Sequence, residues 1–209
     1  RDPTRREWLH EARALAAALQ DRGYAAGDVI AFQLPNWHET AVIDLAAALA
    51  GLVIVPIVPI YRDAEVGLML ADSGARALFT CAEFRNYDFA AMAARVQQDL
   101  PQLEDIFVVR GDDTVGEDYA SLVQQGTQLD LKEVEVDPKG VKMVLYTSGT
   151  TGRPKGVLHS HTTLDQSPSQ QTALGEFAAA VGVECRLEQA KTRGEAGYNK
   201  WQWLIVQPP

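Results

Sequence analysis

The sequence of 209 residues predicts an α/β fold, a layered sheet with flanking helices, on three observations. Segments with helical spacing alternate along the chain with short β-branched runs, the order expected when helices cover a mostly parallel sheet. One of those runs, Leu52 to Val58, is continuously apolar instead of alternating, as a strand covered on both faces must be. Apolar residues make up 46% of the chain, enough to bury the core of one domain, or of one domain and part of another.

The elements follow in order. Trp8, Ala12, Leu15 and Leu19 recur at helical spacing and Gly23 follows as a C-cap, so the first element is an amphipathic helix. Val29 to Leu34 reads as a strand. Pro35-Asn36 then opens a second helix, with Asn36 expected as its N-cap and Glu39 three residues on, extending to about Ala50. After the strand Leu52 to Val58 come a capped helix from Asp63 to Asp72 stopped by Gly74, a strand Ala77 to Thr80, a helix Phe89 to Gln98 and a strand Ile106 to Val109. The polar stretch Gly111 to Pro138 holds a short helix near Tyr119 to Gln125 and a loop, and leads to the strand Val141 to Thr147. From Asp165 to Pro209 the hydrophobic residues thin out and no period emerges, so a disordered or non-native tail is expected as readily as a structured one.

Composition removes several function classes. The net charge of −9 comes without a basic stripe, so the electrostatic footprint of a nucleic-acid-binding protein is missing. The two cysteines, Cys81 and Cys185, lie far apart with no CxxC or Cys/His spacing, which argues against a disulfide framework or a zinc site and for a reducing, cytoplasmic setting. The longest uncharged apolar stretch, Leu45 to Tyr61, is interrupted by Gly51, Pro56 and Pro59, which suits a helix end entering a buried strand and not a membrane span of roughly 20 residues.

Chemistry concentrates in one place. The strand ending at Tyr146 enters Thr147-Ser148-Gly149-Thr150-Thr151-Gly152, then Arg153-Pro154-Lys155-Gly156 and a second apolar segment, Val157-Leu158. Glycines let backbone N–H groups converge on an anion, hydroxyls add donors and a lysine supplies a point charge, so polyphosphate is the natural ligand. Such a loop holds the β- and γ-phosphates while a nucleophile meets the α-phosphorus in line. A Walker A loop would need Gly before Lys155 and Ser or Thr after it, where this chain has Pro154 and Gly156, and it would open into a helix. Gly156-Val157-Leu158-His159 looks instead like a return strand, which makes the loop the tip of a hairpin.

At these residues the sequence resembles the adenylate-forming, or AMP-binding, enzymes: acyl-CoA synthetases, peptide-synthetase adenylation domains and luciferases. Gly27-Asp28-Val29-Ile30-Ala31 through Leu34-Pro35-Asn36, Ala48 to Pro59 with Tyr61-Arg62, and Asp72-Ser73-Gly74-Ala75-Arg76 are similar to further stretches of that family, in its order, over about residues 8 to 164. The resemblance implies the incomplete N-terminal part of the large domain of an adenylate-forming enzyme over residues 1–164, with 165–209 a divergent tail, frameshifted or disordered. It implies an ATP-dependent carboxylate ligase that forms an acyl-adenylate and then an acyl-CoA thioester, with a small-molecule carboxylic acid, ATP, Mg2+ and coenzyme A as its partners. By motif position, Thr147 would bind magnesium, Ser148, Gly149, Thr150, Thr151 and Gly152 would contact phosphate oxygens, and Lys155 would offset phosphate charge.

Other readings stand beside this one. A loop rich in Gly, Ser and Thr is on composition alone a mobile turn, and the alternative function is a non-catalytic nucleotide- or polyphosphate-binding module. His159 and His161 occupy alternate positions, which would place both on one face of a strand, but no acidic or thiol partner stands at a spacing that would complete a metal site. No Tyr-Gly-x-Thr-Glu segment, ribose-binding Asp or C-terminal catalytic Lys of the family is found in Asp165 to Pro209. Catalytic residues are therefore not identified within this chain, which is expected not to turn over alone.

Overall fold

The computed structural model describes residues 4–111, 115–147, 154–164, 184–189 and 201–206. Helix α1 (Arg5–Asp21) opens on a capping box in which the Thr4 hydroxyl accepts from the Glu7 backbone N–H and the Glu7 carboxylate accepts from the Thr4 N–H. There follow β1 (Val29–Gln33), α2 (His38–Leu49), β2 (Val53–Pro56), α3 (Asp63–Ser73), β3 (Ala77–Cys81), the two-residue strands β4 (Glu83–Phe84) and β5 (Tyr87–Asp88), α4 (Phe89–Gln98), β6 (Asp105–Val109), β7 (Glu117–Asp118), α5 (Tyr119–Gly126), β8 (Val141–Thr147), β9 (Lys155–Ser160) and α6 (His161–Leu164). Strands β10 (Glu184–Gln189) and β11 (Trp201–Val206) form a separate antiparallel pair.

Seven strands make one sheet in the order β7-β6-β3-β1-β2-β8-β9. Every neighbouring pair is parallel except β8 with β9. α2 carries the chain from β1 outward to β2, whereas α3 and α4 carry it back through β3 to β6. Right-handed crossovers then put α2 on one face of the sheet and α3 with α4 on the other. The packing agrees, because α1 lies against α2 and α5 while α3 lies against α4. Since β8 is parallel to β2, Thr147 sits on the edge where the other parallel strands end, the carboxyl edge at which open α/β sheets bind ligands.

The core is filled by large apolar side chains from both layers. Phe79 of β3 packs on Phe107 of β6 with centroids 4.8 Å apart and meets Tyr119 of α5 edge-on at 6.4 Å. α5 crosses α1 so closely that a Cβ at Gly126 would lie 1.8 Å from the Ala14 carbonyl oxygen, so only glycine fits there. At the amino edge, the Arg76 guanidinium pairs with Asp28 and Glu104 and lies 4.7 Å from the Tyr24 ring centroid. The Tyr24 hydroxyl in turn donates to Asp105 at 2.6 Å. Arg76 thereby ties together the loops that enter β1, β3 and β6.

The expected elements are present in the expected order, with three corrections. Asn36 does not cap α2: the N-cap is Trp37, without a side-chain bond, and the Thr40 hydroxyl reaches back to the Pro35 carbonyl at 2.8 Å. The strand expected over Leu52 to Val58 is confined to Val53–Pro56: the Ile57 N–H gives the last bond to β1, at the Phe32 carbonyl, and Val58 beyond it is exposed. His159 and His161 do not share a strand face, since β9 ends at Ser160 and His161 begins a helical turn.

Candidate functional site: a phosphate-loop hairpin

The hairpin β8–β9 forms as its sequence requires: two β-branched or apolar runs flank a Gly-rich turn, and Pro154, which has no N–H to give a ladder, stands just outside the return strand. Pairing runs from Val144 opposite Leu158 to Thr147 opposite Lys155. Thr147 and Lys155 are therefore directly opposed across the mouth of the loop, their side chains on one face with Cβ atoms about 5 Å apart. Both are exposed, and among the described residues Lys155 makes no ion pair. Ser148, Gly149, Thr150, Thr151 and Gly152, the other residues expected to bind phosphate, lie outside the described residues.

The opposite face of the hairpin is packed. Tyr146 stands across from Gly156, and a Cβ at Gly156 would lie 3.3 Å from Tyr146 Cζ and 3.0 Å from Val144 Cγ1, so the glycine leaves room for the tyrosine ring. The Tyr146 hydroxyl donates to Asp72 Oδ2 of α3 at 2.6 Å. Burial and that carboxylate push the phenol well above its ordinary range, so it remains a donor throughout the physiological range. At the hairpin's base, Lys142 Nζ lies 3.4 Å from Asp44 Oδ2 and the Thr162 N–H donates to the Pro138 carbonyl at 3.1 Å. His161 is half-buried there, its imidazole pushed down from its ordinary value first by burial and then by Lys142.

Sequence reasoning missed a polar cluster four strands away. An open cavity of about 460 Å³ is lined by Glu11, His38, Glu39, Arg110, Asp118 and Tyr119, among others. Glu39 is buried and receives Arg110 through two bonds of 2.7 and 3.0 Å, while Tyr119 donates to Glu11 at 2.8 Å. These charged groups satisfy one another, so the cluster holds α1, α2 and the end of β6 together and leaves little free valence for a ligand. Among the described residues no group of three or more His, Cys, Asp and Glu side chains is placed to hold a metal ion. None of the described helices is long and apolar enough to cross a membrane.

A parallel sheet with an antiparallel Gly-rich hairpin at its carboxyl edge, Thr and Lys facing each other at the mouth, defines a class. The chain matches the family described as AMP-binding enzyme over residues 1–182 and belongs to it. It is 34% identical over 157 residues to the medium-chain fatty-acid–CoA ligase of Escherichia coli (strain K12), a match covering 74% of this chain and 28% of that protein. It is 31% identical over 163 residues to a 4-coumarate–CoA ligase of Pinus taeda, covering 76% of this chain and 28% of the relative. The apo structure of MbtA from Mycobacterium smegmatis superimposes with a TM-score of 0.68 at 28% identity, covering 76% of this chain and 29% of that one. The matched stretch thus spans under a third of each of these relatives.

Proposed function

We propose that this chain supplies the ATP-phosphate anchor of an ATP-dependent carboxylate ligase. In that reaction a carboxylate oxygen attacks the α-phosphorus of ATP, pyrophosphate leaves and an acyl-adenylate forms; the thiol of coenzyme A then attacks the acyl carbon and AMP leaves. The observation that carries the reading is the opposition of Thr147 and Lys155 on the open face of the hairpin at the sheet's carboxyl edge. A hydroxyl and an ammonium facing each other, with the Gly-rich turn between them, suit the terminal phosphates of ATP. Ser148, Gly149, Thr150, Thr151 and Gly152 would donate to phosphate oxygens, and Lys155 would offset their charge.

The donor set also suits magnesium. Mg2+ retains several waters and is usually held by one or two protein groups together with substrate phosphates, so a single hydroxyl, Thr147, facing the phosphate loop is a fitting ligand. The ion would neutralise charge on the polyphosphate. Coenzyme A as acceptor is supported by relatives whose names make them CoA ligases; a non-catalytic binding module has no comparable support. The division at residue 164 belongs to the same proposal, and translation of the other two reading frames of the coding DNA beyond Leu164 tests it: the missing family segments should appear there.

The experiment is binding followed by exchange. The 209-residue chain should bind Mg·ATP or tripolyphosphate, and Lys155→Ala should weaken that binding about tenfold, as loss of a charge-assisted contact does. ATP–pyrophosphate exchange with a panel of carboxylic acids should be absent for this chain alone, because transition-state contacts beyond the phosphates are needed. Exchange should appear when residues 1–164 are joined to the remainder of a ligase relative. Absence of polyphosphate binding, or binding indifferent to Lys155, sinks the anchor reading.

A further inference from the structure

We propose that Asp72, at the end of α3, is a positioning residue for the phosphate loop, acting through the Tyr146 hydroxyl. The inference rests on the anchor reading above and on three independent features of the hairpin. First, β8 is joined to the body of the sheet by the register of Ile54 with Met143, four residues before Thr147. The last residues of β8 run on beyond that pairing with β9 beside them, and β9 is itself the outermost strand. The distal half of the hairpin therefore depends on something other than the main ladder for its orientation.

Second, the Tyr146–Asp72 bond supplies that tether. It is 2.6 Å long, joins residues 74 apart in sequence, and fixes the position immediately before Thr147 to the last turn of a helix rooted in the core by Val66, Met69 and Leu70. The Met69 carbonyl, 3.3 Å from the same hydroxyl, gives a second acceptor in that turn. Third, Gly156 makes room for the ring: a Cβ there would crowd Val144 Cγ1 at 3.0 Å and Tyr146 Cζ at 3.3 Å, so the tyrosine packs directly across the facing strand. Side chains alternate across a strand, so this clamp grips the face opposite Thr147 and Lys155 and leaves their face open to a nucleotide.

The test uses Tyr146→Phe, Asp72→Ala, Asp72→Asn and the Phe/Ala double variant in the 209-residue chain, with two readouts: tripolyphosphate affinity, and amide hydrogen exchange resolved along the chain. Tyr146→Phe and Asp72→Ala should each weaken affinity about threefold to tenfold, the worth of one hydrogen bond. The double variant should lose no more than Tyr146→Phe alone, because without the hydroxyl Asp72 has nothing left to hold. Asp72→Asn, whose amide oxygen accepts the same bond, should restore wild-type behaviour. Exchange should quicken in β8 and β9 while β3 and β6 keep wild-type protection.

Unchanged exchange in β8 and β9 overturns the proposal, as does quickening spread over the whole sheet, which would mark a general loss of stability. Asp72→Asn behaving like Asp72→Ala overturns it too. If the wild-type chain binds no tripolyphosphate, the anchor reading fails, and the exchange data alone decide the clamp: local quickening reversed by Asp72→Asn upholds it, and any other pattern rejects it.

Discussion

Glu39 illustrates how far a residue's role depends on partners remote in sequence. Its spacing from Asn36 suits a capping carboxylate, yet the side chain is only 5% exposed and receives two bonds from Arg110, a residue 71 positions away. His38 Nδ1 lies 3.3 Å from the same carboxylate. Arg110 also covers the Trp37 ring at 4.1 Å and adopts a left-handed backbone with φ of 55°. Alanine at that position carries the same backbone strain as arginine, so Arg110→Ala isolates the side chain. It should destabilise the chain by about 1–3 kcal/mol by leaving a buried carboxylate with reduced compensation, measured as a lower urea midpoint at unchanged slope. A midpoint equal to wild type would show that solvent replaces the guanidinium without loss.

Elements with a strong local period were legible in the sequence, and those made by a few long-range bonds were not. α4 and β8 have the bounds that their patterns indicate, Phe89–Gln98 and Val141–Thr147, because apolar spacing and turn residues agree there. The ladder of β4 with β5 was invisible: it is two residues long and turns through Arg85 and Asn86, both at positive φ without a glycine to signal it. β9 ends earlier than the alternation of its sequence suggests, because Ser160 and Thr163 exchange side-chain and backbone hydrogen bonds that start a helical turn.

That turn has a titratable consequence. His161 is half-buried at the hairpin base, facing Lys142 with Asp44 and Asp137 nearby, and its imidazole is depressed by burial and by Lys142 against the weaker pull of the two carboxylates. The unfolded chain therefore binds a proton at higher pH than the folded chain does. The stability that this group contributes is present above the ordinary imidazole range and is lost as pH falls from there through the lower folded value. His161→Gln should flatten that part of the pH dependence, seen by comparing urea midpoints of the two proteins between about pH 7.5 and pH 5.5. Parallel pH profiles for the two would refute the assignment.

For the molecule as a whole, the sequence indicated that two strands flank its Gly-rich segment, but not what holds the hairpin of β8 and β9. The hydroxyl and lysine could be read from local pattern; Asp72 could not, because its contact with Tyr146 exists only once α3 has been folded against β8. The same topology leaves β9 at the end of the sheet, and among the described residues no strand pairs with its outer edge. Val157 and Leu158 are 42% and 65% exposed and point to opposite faces, while Lys155 at one end is the strand's single Lys or Arg. Natural sheets guard such edges with charge, proline or bulges, and an apolar edge with free N–H and C=O groups is a template for pairing with another copy. The chain should therefore associate as its concentration rises, read as growing mass in static light scattering. Leu158→Lys, which places a charge in the middle of that edge at an already exposed position, should hold the protein monomeric over the same range with its melting temperature preserved. Equal association by the variant and the wild type would place the sticky surface elsewhere than β9.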